Sequence, residues 1–155
     1  MSEEEYDRHI KRYMEGLYGE GWELVYDAMN KWLDRHTVCF NCHSSPKLSS
    51  AVLKGVAPEI IGMMDEAKYA AKTKLNWQSI DCSQIQFDFA YLNAIFDSLY
   101  NSDDPAEVEL SQTMSHALQK KMQNNGVTMG YYSGTIPNFP SFNVKPEDWR
   151  WMEVE

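Results

Sequence analysis

Between Ser83 and Tyr100 the arrangement of apolar residues leaves few folds open to this chain. Ile85, Phe89, Leu92, Phe96 and Leu99 are spaced 4, 3, 4 and 3 residues apart, which is the recurrence of one face of an α-helix. Phe87, Tyr91, Ala94 and Ile95 widen that face until Gln86, Asp88, Asn93 and Asp97 form only a narrow polar strip. A helix apolar over most of its circumference is one that other helices surround. The stretch is therefore expected at the centre of a helical domain. Cover on nearly every side is a heavy demand, so Phe87, Tyr91 or Ile95 is expected to mark an apolar patch left open for a partner.

The rest of the chain supplies the surrounding helices. Ser2 and Glu5 have the spacing of a capping box, in which hydroxyl and carboxylate satisfy the free N–H groups of a helix start. Tyr6, Ile10, Tyr13, Met14 and Leu17 follow as a buried stripe, and Gly19 and Gly21 stop the helix. A second helix from Trp22 to Arg35 is expected to bury Trp22, Val25, Tyr26, Met29, Trp32 and Leu33, and its short connection makes it an antiparallel neighbour of the first. Thr37 to Ala57 lacks a helical period and is expected to be a long loop. The third helix is expected to open at Pro58, with Ile60, Ile61, Met64, Ala67 and Ala71 on its face. After the central helix, Asn101 to Asp104 reads as a turn. Asp104-Pro105-Ala106-Glu107 then starts a fifth helix carrying Val108, Leu110, Met114, Ala117, Leu118 and Met122, which ends at Asn124-Asn125-Gly126. The expected fold is all-α: an antiparallel bundle of about five helices over residues 1–126, with an irregular, aromatic-rich tail over 127–155 that packs on the bundle or on a partner.

Composition narrows the functional classes. A chain of 155 residues fits one domain, and 43% hydrophobic content argues against disorder. The formal net charge of -9 disfavours nucleic acid and anionic membrane surfaces, both of which call for basic residues, and suits a soluble protein. No run of about 18 apolar residues offers a membrane span, and the acidic start Met1-Ser-Glu-Glu-Glu is unlike a signal peptide. Three cysteines do not make a disulfide framework.

The sharpest local pattern is the cluster His36, Cys39, Cys42 and His43. Cys39-x-x-Cys42-His43 has the spacing of c-type haem attachment, but that route requires export. Thiolates and imidazoles also suit zinc, although structural zinc sites usually draw ligands from two separated segments and these four lie within one. The favoured reading is an ordinary loop in which Cys39 and Phe40 pack inward, with no cofactor; a small Cys/His metal site is the alternative. His9 and His116 fall on expected helices, and no Gly-x-Ser-x-Gly elbow or phosphate loop occurs. Asp65-Glu66 reads as a solvated face and Asp103-Asp104 as a helix cap, because adjacent helical residues do not converge on one point. No catalytic residue is therefore assigned. Tyr131, Tyr132, Trp149 and Trp151 in the tail are candidates for stacking on a sugar ring or a protein partner, against the commoner use of such rings in a core.

One family shares the order of several short motifs. Tyr13-Met14-Glu15-Gly16-Leu17-Tyr18-Gly19 follows an acidic helix start; Gly21-Trp22-Glu23 and Tyr26 open the next helix; Ser44-Ser45-Pro46 closes the loop. Pro58-Glu59, Asp65-Glu66-Ala67, Ala70-Ala71 and Tyr91-Leu92 complete the series. In these the chain resembles, over residues 2 to 100, the C-terminal helical region of large bacterial glycoside-hydrolase-like proteins. There a TIM barrel of the hexosaminidase and α-glucuronidase type precedes the helices. Leu17 departs from the family's second tyrosine at that place, and the arginine that often opens its central helix is missing near Ile80-Asp81. The resemblance implies that catalytic carboxylates belong to a barrel and that this chain is a non-catalytic accessory part of a carbohydrate-active protein, partnered by that barrel and in reach of a glycan. The alternative is a free-standing helical module that binds another protein.

Overall fold

The computed structural model describes residues 2–37 and 46–126, with side chains over 2–34 and 54–126. The protein is all-α. Among the described residues there are five α-helices and no strand: α1 (Glu3–Tyr18), α2 (Trp22–Thr37), α3 (Pro46–Ala70), α4 (Lys74–Tyr100) and α5 (Pro105–Asn124), with a 3-10 turn at Gly19–Gly21 between the first two. The chain divides into two compact units, Met1–Tyr91 and Leu92–Glu155, so that α4 contributes to both. The tail at 127–155 lies outside the described residues.

The start of α1 is the capping box its sequence announces. Ser2 Oγ accepts from the Glu5 N–H at 3.3 Å, and Glu5 Oε2 accepts from the Ser2 N–H at 2.8 Å. Its end is set by Gly19, whose φ of 64° and ψ of -141° lie in a region that side-chain-bearing residues avoid. The buried line of α1 is Met14 and Tyr18, supported by Ile10 and Leu17. Tyr6 and Tyr13 belong to the expected stripe but are exposed. Each residue turns a helix by about 100°, so Tyr13 stands well to one side of Met14. On α2 the deepest residues are Val25 and Ala28, whereas Tyr26 and Leu33 face water. Ala28 escapes a search for large apolar residues because it is small, although it is fully buried.

The third helix corrects the sequence reading most. It begins at Pro46, not Pro58, so much of the stretch expected to be a loop is helix, and Pro58 lies inside it. Pro58 lacks the N–H that would bond the Lys54 carbonyl. Both residues are exposed, so water can serve that carbonyl, while Val56, Ala57, Ile60, Met64 and Ala67 are buried on the opposite side. Burial of that face outweighs the local proline defect.

Met14, Tyr18, Val25, Ala28, Val56, Ile60, Met64, Ala67, Ile80 and Phe87 form the core of the first unit. Phe87 is 1% exposed and meets the Trp32 ring edge to face at 5.1 Å between centroids. The apolar patch expected to include it is therefore closed at this position, and Tyr91 and Ile95 are half-buried. The central helix also starts earlier than expected, at Lys74, with Thr73 as its cap: Thr73 Oγ1 accepts from the Asn76 N–H at 3.1 Å.

Asn76 ties that start to the end of α1. Its Nδ2 donates to the Leu17 carbonyl at 3.1 Å and the Gly16 carbonyl at 3.4 Å, two groups a helix terminus leaves without an intrahelical donor. Tyr18 Oη and Ser83 Oγ share a second hydrogen bond between the same helices, at 3.0 Å. Asn76→Ala is expected to lower stability by about 1 kcal/mol. A urea midpoint unchanged in that variant would show the two carbonyls to be equally well served by water.

In the second unit, Leu92 and Phe96 are buried, and the Phe96 and Tyr100 rings stack at 5.4 Å. Asp104 caps α5, its Oδ1 accepting from the Ala106 N–H at 2.9 Å, with Pro105 in the first turn. Leu118 and Met122 are buried as expected, but Leu110 and Ala117 are exposed. Ser111, Ser115 and Gln119 take buried places instead, at a spacing of i, i+4 and i+8. Ser111 Oγ donates to the Val108 carbonyl of its own helix at 2.7 Å.

Candidate functional site

The most polar interior of the first unit lies between the second half of α3 and the first half of α4. Asp65, Lys68 and Tyr69 sit at i, i+3 and i+4 on α3, while Trp77, Asp81 and Gln84 sit at i, i+4 and i+7 on α4. Each set shares one helical face. Lys68 is the hub. Its Nζ lies 3.0 Å from Asp65 Oδ1 and 3.3 Å from Asp81 Oδ1, and 5.5 Å from the centroid of the Trp77 ring. Gln84 Nε2 donates to Asp65 Oδ1 at 2.9 Å and to the Ile61 carbonyl at 3.1 Å.

Burial is graded across this group. The Asp81 side chain is 9% exposed and that of Lys68 16%, whereas Asp65 opens to solvent. Tyr69 is 92% exposed and Trp77 44%. Asp65, Lys68, Tyr69 and Trp77 line a cleft of about 350 Å³. The inner half of the group is thus a buried ion pair with an amide clamp, and the outer half is an aromatic-flanked opening.

The two carboxylates share one ammonium, and Asp65 accepts from Gln84 as well, so these groups are engaged in joining α3 to α4. Cys82 is an exposed free thiol on α4, and Ser83, beside it, has its hydroxyl engaged by Tyr18. His9 and His116 are exposed on α1 and α5. Among the described residues, no group of three or more His, Cys, Asp or Glu side chains is placed to hold a metal ion. No described helix is long and apolar enough to cross a membrane.

The side chains of His36, Cys39, Cys42 and His43 lie outside the described residues, although the backbone of His36 belongs to the last turn of α2, which ends at Thr37. Tyr131, Tyr132, Trp149 and Trp151 lie outside them as well. Of the acidic pairs, Glu66 is exposed, but Asp65 is bonded to Lys68 and Gln84, which amends its reading as mere solvated surface. Lys68, Trp77, Asp81 and Gln84 were not legible as a group. The signal that could have found them is the Thr73-x-x-Asn76 start, which places Trp77, Asp81 and Gln84 on one face once α4 is begun there.

Comparison of the chain with protein-family models, with curated proteins and with solved structures finds no match in any of the three.

Proposed function

We propose that this chain is a non-catalytic, all-α accessory domain of a glycoside-hydrolase-like, carbohydrate-active protein. The observation that carries the non-catalytic part is the employment of its partly buried polar side chains. Asn76, Tyr18, Ser83, Lys68, Asp81 and Gln84 all join one helix to another. Such groups hold a frame together, and a reacting group would need to be presented to substrate. The carbohydrate part is supported by the ordered motifs of residues 2 to 100 and by the aromatic walls of the cleft at Trp77 and Tyr69. In this reading an N-terminal TIM barrel is the partner that carries the catalytic carboxylates, and the helices buttress it.

The purified chain is expected to be strongly helical by circular dichroism and to leave aryl-glycoside substrates uncleaved. Turnover that persists through purification to homogeneity would overturn the proposal. A second reading, a helical module that binds another protein, is favoured by the exposed Tyr69, Leu75 and Trp77 around the α3–α4 corner. The native reading frame separates the two: a barrel encoded upstream in frame supports the first, and its absence supports the second.

A further inference from the structure

We infer that the cleft of Asp65, Lys68, Tyr69 and Trp77 is a binding subsite for a neutral pyranose ring at the end of a glycan; its ligand class rests on the carbohydrate reading above. An anionic ligand would need a cation to meet it, and the cation present, Lys68, is already countered by Asp65 and Asp81 at 3.0 and 3.3 Å. The chain's formal net charge of -9 opposes an anion further. A cationic ligand would seek an aromatic face, but Trp77 already receives the Lys68 ammonium, so a second cation meets a like charge.

A neutral ligand with an apolar face and hydroxyl edges encounters neither obstacle. The C–H groups on one side of a pyranose carry slight positive character and pack against the electron-rich face of an aromatic ring. Trp77 and Tyr69 retain exposed ring surface to receive them. At the floor, the Asp65 carboxylate accepts from hydroxyls and the Lys68 ammonium donates to them, both as charge-assisted hydrogen bonds. Lys68 is fixed by its two carboxylates and Asp65 by Gln84, so little side-chain freedom remains to be lost on binding. The volume, about 350 Å³, is near the lower end of the roughly 300–1,000 Å³ usual for small-molecule sites and suits the end of a glycan more than its length.

The test is a titration of the full, isotopically labelled chain with neutral gluco-, xylo- and N-acetylglucosamine oligosaccharides, followed by two-dimensional NMR. The Trp77 indole signal is assigned by its loss in Trp77→Phe. Saturable movement of that signal and of the amides of residues 65–69 is expected with at least one neutral series, at a Kd on the order of 1 mM. Glucosamine and glucuronic acid should bind more weakly than their neutral counterpart. Trp77→Ala should weaken binding about tenfold, with Trp77→Phe recovering most of the loss. A Trp77 signal unmoved by every neutral series, an affinity indifferent to Trp77→Ala, or tighter binding of either charged sugar would each overturn the inference. Should Trp77→Ala fail to fold, the titration of the parent chain decides alone. Silence in the titration with no glycosidase activity would sink the cleft and leave the accessory reading standing, whereas glycosidase turnover would sink that reading and leave the cleft to the titration.

Discussion

Lys68→Met is expected to destabilise the first unit by about 3 kcal/mol, the largest effect of any single charge removal among the described residues. The substitution keeps most of the apolar stem that packs between α3 and α4 and deletes only the ammonium. Asp81, 9% exposed, then keeps its carboxylate in a poorly solvated place without the cation 3.3 Å away. An ion of that kind costs several kcal/mol to hold away from water unless an opposite charge offsets it. The exposed pairs Lys72–Glu20 and Lys11–Glu15 provide the contrast, because solvent screens them and removing either should change stability by less than about 1 kcal/mol. Lys68→Met combined with Asp81→Leu should recover most of the loss, since replacing both charges by apolar groups removes the penalty along with the attraction. Thermal unfolding by circular dichroism reads the effect as a fall of about 6–12 °C for the single variant. A single variant within about 0.5 kcal/mol of the parent would show that Asp81 does not depend on the ammonium.

Gly21→Ala is the second large effect, expected at about 2–3 kcal/mol. A Cβ built on Gly21 would lie 2.5 Å from the Ala67 carbonyl oxygen and 2.9 Å from the Ala67 Cα. Both are backbone atoms of α3, so no rotamer change relieves the clash and the turn must move away from the helix. Gly21 and Ala67 are both buried, so that movement loosens the core to which Ala67 belongs. Gly16 and Gly62 are the internal controls. An added Cβ meets nothing within 4 Å at either position, and both lie within helices. Alanine there should stabilise by about 0.5–1 kcal/mol through reduced backbone entropy in the unfolded chain. Opposite signs for the turn and helix glycines, measured by urea unfolding, would establish that close approach and not glycine itself is what Gly21 provides. Equal signs would refute it.

These two predictions mark the division between local and non-local information in the chain. Features that depend on a few adjacent residues could be read directly. Ser2 with Glu5, the glycine stop at Gly19 and the Asp104-Pro105 start each satisfy hydrogen-bonding groups at a helix end, and that chemistry is complete within one turn. The all-α class followed from the same source, since the periodic segments recur at 3.6 residues and none between them alternates as a strand does. Local rules misled where tertiary burial overrode them. Pro58 looked like a helix start, but the buried face from Val56 to Ala67 carries α3 through it. The Thr73 start of α4 does not show in the apolar pattern because Leu75 and Trp77 in its first turn are exposed.

The candidate site was hidden for a related reason. Lys68, Asp81 and Gln84 are residue types that normally face water, and nothing in their own segments reverses that expectation. Their burial arises only when α3 and α4 pack, which joins residues 13 and 19 positions apart in the chain. The sequence by itself determined that the chain is helical, where most of its helices stop, and that the helix around Phe87, Leu92 and Phe96 must be covered. Tertiary structure alone decided that Phe87 is closed off beneath Trp32, that Gly21 touches the backbone of α3, and that an ammonium is held between two carboxylates beside an exposed tryptophan. Helix signals are written in neighbours three and four residues apart, whereas contact, burial and charge pairing are properties of segments that meet only after folding.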